Sequence, residues 1–87
     1  SASVVVLGEA PAKIYGILDL SSKGWSAYNV GLDVEMNADK AYTIYNGARL
    51  EILGTYTKSK GNQICRVYSA DLKRECYVTA KYVKVTK

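Results

Sequence analysis

The chain has 87 residues, 48% hydrophobic and 23% charged, which is enough for one small core, too little for two, and too apolar for a disordered segment. It carries eight tyrosines and one tryptophan but no phenylalanine and no histidine, so the commonest general base and the commonest metal ligand are both missing. The net charge of +4 is uneven: residues 1–54 hold four basic and six acidic side chains, residues 55–87 eight basic and two acidic.

The basic half suits an anionic partner, although lysine on exposed edge strands also serves simply to discourage aggregation. No apolar run approaches the roughly 18 residues of a membrane span, and no basic stretch precedes an apolar one at the start. Ser1 to Gly8 therefore does not read as a signal peptide, and the expectation is a segment of a longer protein whose export signal lies upstream.

Val4-Val-Val-Leu7 is a β-branched run closed by Gly8-Glu-Ala-Pro11, whose proline marks a turn or a stop. In Ala12 to Leu20, strict alternation puts Ile14, Gly16, Leu18 and Leu20 on one face and Lys13, Tyr15, Ile17 and Asp19 on the other. A helix is the alternative there, weakened by Gly16. Ser21 to Gly24 is a turn, and Trp25 to Val30 enters a strand region.

Leu32, Val34 and Met36 alternate with Asp33 and Glu35, the plainest pattern of a half-buried strand in the chain. Asn37 to Lys40 breaks it, Tyr42 to Tyr45 resumes extended structure, and Asn46-Gly47 is a strong turn signal. Arg49 to Tyr56 sends Leu50 and Ile52 inward, and Lys58 to Asn62 is a polar loop. Ile64 to Ser69 and Glu75 to Thr79 form a hairpin around Ala70-Asp71-Leu72, followed by a tight turn over Thr79 to Tyr82 and a last strand, Val83 to Thr86. Short strands at close spacing, with no convincing long helix, predict an all-β fold, a small antiparallel barrel.

The succession Leu32-Asp-Val-Glu35, Gly47-Ala-Arg-Leu-Glu-Ile-Leu-Gly54, Ile64-Cys-Arg-Val67 and Cys76-Tyr-Val-Thr-Ala-Lys-Tyr-Val83 resembles the bacterial SH3-type (SH3b) domain over roughly residues 25–85. The closing run is the most specific part. Three positions depart from the family pattern: Glu35 stands for arginine, Ile64 for tryptophan and Cys76 for glycine. Contacts that the family tryptophan makes therefore do not transfer to position 64. The resemblance implies an SH3-like barrel over residues 25–87, with residues 1–24 as an N-terminal extension or added hairpin.

It also implies a non-catalytic module of a secreted or cell-envelope protein, such as a peptidoglycan hydrolase, holding it to bacterial cell wall. The ligand groove of the family points to Tyr42, Tyr45, Tyr68 and Tyr77, with Arg66 among them, and the ligand to peptidoglycan or a peptide. A structural or protein-interaction domain, and more remotely a nucleic-acid-binding barrel, are the alternatives. On the family alignment Cys65 and Cys76 face each other across the hairpin, Arg66 facing Glu75 and Ile64 facing Tyr77, which predicts a Cys65–Cys76 disulfide. Two buried thiols are the alternative. No catalytic residue, cofactor or metal site is assigned: two thiols without histidine cannot supply four zinc ligands, and Asp33 and Glu35 read as a solvated face.

Overall fold

The structure is a computed structural model that describes residues 12–36 and 42–86. The expected strand at Val4 to Leu7, the turn at Pro11 and the break at Asn37 to Lys40 lie outside the described residues. The fold is all-β and antiparallel. A five-stranded sheet runs in the order β6-β5-β4-β1-β7, built from β1 (Ile14–Leu18), β4 (Arg49–Thr57), β5 (Gln63–Ser69), β6 (Arg74–Thr79) and β7 (Val83–Val85). A separate two-stranded ribbon pairs β2 (Ala27–Val30) with β3 (Tyr42–Tyr45). A 3-10 turn, Ala80–Tyr82, precedes β7.

Within Ala12 to Leu20 the expected strand forms as β1, and the alternation holds in burial from Gly16 to Leu20, whereas Ile14 at its start is exposed; the reason for Gly16 is steric. A Cβ there would sit 2.6 Å from the Lys84 carbonyl oxygen of the neighbouring strand, so only glycine lets β1 and β7 approach. Leu18 and Leu20 are fully buried. Of the residues expected as an N-terminal extension or added hairpin, 14–18 form β1 and lie inside the sheet, pairing with β4 on one side and β7 on the other.

The Asn46-Gly47 turn forms with Gly47 at φ 89°, and it stitches two regions together. The Asn46 side-chain oxygen accepts the Leu20 amide at 2.8 Å, and the Gly47 amide donates to the Leu18 carbonyl at 2.7 Å. Beyond the turn β4 is long enough to serve two partners. Arg49 to Ile52 pair with β1, and a bulge between Ile52 and Gly54 bends the strand so that its second half pairs with β5 alone.

The segment Leu32 to Met36 is not a strand. It winds through bends and a turn in which the Met36 amide bonds the Asp33 carbonyl at 3.0 Å, with Met36 at φ 59°. Half-burial of Leu32, Val34 and Met36 against exposed Asp33 and Glu35 does follow the alternation. A chain wound over a surface can give the same periodicity as a strand. What decides against the strand is Gly31, whose missing Cβ leaves Met36 Cα room to fold back; a Cβ would meet it at 2.7 Å.

The β5–β6 hairpin is present, but its register differs from the expected one by two residues. Its loop spans Ala70 to Lys73, with Lys73 at φ 58°, its amide donating to the Ser69 carbonyl at 2.8 Å, and the Ser69 hydroxyl accepting the Leu72 amide at 3.0 Å. That four-residue loop pairs Ser69 with Arg74, which places Cys65 opposite Val78 and Cys76 opposite Val67. Both cysteines are free, buried thiols, so the expected Cys65–Cys76 disulfide is corrected to two apolar core residues. Arg66 stands opposite Tyr77, yet still reaches Glu75 diagonally at 3.1 Å.

The core gathers Leu18, Leu20, Val30, Ile44, Leu50, Val67, Cys76, Val78 and Tyr82 between the sheet and the ribbon. The ribbon is fastened to β6 by two reciprocal bonds between Gly31 and Tyr77, 3.1 and 2.9 Å, and by Tyr28, whose hydroxyl accepts the Thr79 amide at 3.1 Å and bonds the Thr79 hydroxyl at 2.9 Å. The strand order and the 3-10 turn before the last strand are compatible with an SH3-like barrel, although the sheet does not close upon itself.

Candidate functional site

The predicted tyrosine cluster divides in the structure. Arg66 on β5 and Tyr77 on β6 come together on the outer face of the sheet, joined by Tyr56 of β4, whose ring centre lies 6.3 Å from that of Tyr77. A hydrogen bond with Tyr56 and then the charge of Glu75 hold the Arg66 guanidinium above its ordinary pKa. Tyr68 lies next along β5, opposite Glu75. Tyr42 of β3 belongs to a neighbouring contact: the Arg74 guanidinium sits 5.0 Å from its ring centre and donates to its hydroxyl at 3.4 Å. Tyr45, 62% exposed, stands opposite Ala27 at the far end of the ribbon and does not join them. On this face the strongest cation is already committed to a carboxylate and a phenol.

A second aromatic group, not anticipated from the sequence, lies where the ribbon crosses the 3-10 turn. Tyr82, only 5% exposed, packs its ring against Trp25 at 5.7 Å and edge-on against Tyr28 at 5.5 Å. Trp25 remains 48% exposed, with the Lys23 ammonium 5.7 Å from its ring centre. An indole backed by Tyr82, itself braced by Tyr28, yet open to solvent is a stacking platform. Trp25, Ala27, Tyr28 and Asn29 line a shallow hollow here.

Tyr82 is also a wall of a groove of about 670 Å³, within the range of ligand-binding clefts. One side is the β4–β5 hairpin end, with Lys58, Gly61, Asn62, Gln63 and Ile64; the other is Thr79, Ala80, Lys81 and Tyr82; Met36 contributes from the turn after the ribbon. The hairpin tip is fixed by the Lys58 amide on the Asn62 carbonyl at 2.7 Å and by Gly61 at φ 88°. Ile64, 3% exposed, and Tyr82 give an apolar floor, while Lys58 and Lys81 bring charge. The Lys81 ammonium sits 5.5 Å from the Tyr82 ring centre. Ile64 therefore lines the groove as an aliphatic residue, and the aromatic member of the lining is Tyr82, behind which Trp25 packs.

Among the described residues no three acids, thiols or histidines gather as a metal site, and no helix is long and apolar enough to cross a membrane. Asp33 and Glu35 are exposed on the turn that leads to Met36. Comparison with protein-family models, with curated proteins and with solved structures finds no match to this chain.

Proposed function

We propose that this domain is a non-catalytic binding module of SH3b type that holds a longer exported protein to bacterial cell wall, with the groove beside Tyr82 as the seat of the ligand. The observation that carries the reading is the place of Tyr82, which lines that groove and packs against the exposed Trp25, so that a groove with an apolar floor and amide and ammonium groups lies next to an open indole. Wall polymer combines sugar rings, which stack on aromatic faces, with short peptides, which need hydrogen-bonding and charged partners. The strand order and the 3-10 turn formed by the closing sequence run support the family resemblance. The absence of histidine from the sequence argues against the common acid–base centres.

The test is co-sedimentation with purified peptidoglycan from several bacterial classes, comparing the wild-type chain with Trp25→Ala and Tyr45→Ala. Retention is expected for wild type and Tyr45→Ala, and a loss for Trp25→Ala. No retention on any wall removes the reading.

A protein-interaction module is the second reading, supported by exposed apolar side chains at the β1–β7 end of the sheet, where Ile14, Tyr15 and Val85 are 47%, 45% and 60% exposed. A partner bound there would be indifferent to Trp25→Ala and sensitive to Val85→Asp.

A further inference from the structure

We infer, on the basis of the groove being the ligand seat, that what it selects is an anionic peptide, whose carboxylates are held by Lys58 and Lys81. The two lysines enter from opposite walls, Lys58 from the end of the β4–β5 hairpin and Lys81 from the 3-10 turn. Among the described residues no acidic side chain lines the groove and neither lysine forms an ion pair; Arg66–Glu75 is the ion pair found there. Two lysines lining one groove, with no ion pair among the described residues, raise the local positive potential, which a ligand carboxylate would relieve.

The remaining lining decides which anion. Asn62 and Gln63 offer both amide donors and carbonyl acceptors, complementary to peptide groups, and Ile64, Met36 and Ala80 are aliphatic. Nucleic acid would need open aromatic faces in the groove for its bases, but Tyr82 is nearly buried and presents its ring to Trp25 and Tyr28. The groove thus matches a short peptide carrying carboxylates next to small aliphatic side chains.

The experiment uses the full chain, muramidase-released peptidoglycan fragments as probe, and a second batch of the same fragments whose carboxyl groups have been converted to amides. Affinity is measured by titration at low and at moderate salt for wild type, Lys58→Gln/Lys81→Gln and Lys60→Gln, each checked for an unchanged melting curve. Two exposed charge pairs predict about a five- to tenfold preference for the native fragments, reduced by salt. The double variant is expected to lose that preference, whereas Lys60→Gln, at the hairpin tip and outside the lining, keeps it. Equal affinity for native and amidated fragments overturns the anionic selection while leaving wall binding intact. A double variant that loses affinity equally for both probes overturns it as well. Tighter binding of a single-stranded DNA oligonucleotide than of the native fragments overturns the choice of peptide. Failure of wild type to bind either fragment batch or whole wall overturns both this inference and the wall-binding reading.

Discussion

Gly16→Ala tests whether β1 is a working member of the sheet. The new Cβ would lie 2.6 Å from the Lys84 carbonyl oxygen, 3.2 Å from its carbon and 3.3 Å from an Ile52 methyl. The methyl can rotate away, but the carbonyl is backbone of β7, so relief to an ordinary contact near 3.4 Å requires that strand to retreat by about 0.8 Å. β7 has only three residues, and its bonding continues in the Thr86 amide on the Tyr15 carbonyl at 2.9 Å, so a retreat strains most of what holds it. Overpacking of this kind costs about 1–3 kcal/mol. The lower chain entropy of alanine returns about 0.5–1 kcal/mol. A net loss of about 1–2 kcal/mol corresponds to a fall in Tm of roughly 4–16 °C in a domain of this size. Urea unfolding followed by Trp25 fluorescence gives the free energy, and hydrogen exchange at the β7 amides locates it. A variant as stable as wild type, with β7 protection unchanged, would refute the strand order; an appended β1 predicts that result.

Tyr28→Phe removes the acceptor of the half-buried Thr79 amide, and a loss of about 1–3 kcal/mol is expected in thermal or urea unfolding, with no change in the β1–β4 amides. Protein purified without reductant should titrate two thiols once unfolded, and addition of reductant should leave its Tm unchanged; a mass lower by two hydrogens would contradict the free, buried cysteines. Burial pushes the Cys76 thiol up to about 11 from its ordinary 9.0, so below pH 9 it is protonated in both states and its contribution to stability is intact. Between pH 9 and 11 the unfolded chain ionises first and that contribution falls, so the stability difference between wild type and Cys76→Ala should shrink over this range in paired melting curves.

Local patterns carried much of the fold. The strand around Gly16 and Leu18, the Asn46-Gly47 turn and the tight turn over Thr79 to Tyr82, which is the 3-10 turn Ala80–Tyr82, are all read from neighbours within a few residues, and all are formed. What failed was set by distant partners or by counting. The Leu32–Met36 alternation describes burial correctly but has no strand beside it, a fact that the segment itself does not encode. The hairpin register turned on whether its loop holds two residues or four. The expected pairing of the cysteines requires the shorter loop, whereas the observed loop places Lys73, a residue bearing a Cβ, in the left-handed region.

The candidate site was hidden by the same non-local dependence. Parity along β5 places Ile64 on the face of Arg66 and Tyr68, and from sequence that whole face reads as outward. At the Ile64 end, however, the 3-10 turn and the turn bearing Met36 come over the sheet, so the face that is open at Tyr68 becomes a groove wall at Ile64. That crossing depends on Gly31 bonding Tyr77 and Tyr28 bonding Thr79, contacts between residues some 46 and 51 positions apart. The lone tryptophan follows the same logic: it lies in a loop without periodicity, and only the ribbon's fold across Tyr82 gives its ring a rigid backing. A tyrosine-rich outer face was legible but already neutralised by Glu75, whereas the groove keeps its two lysines unpaired among the described residues, which is why ligand chemistry is better sought there.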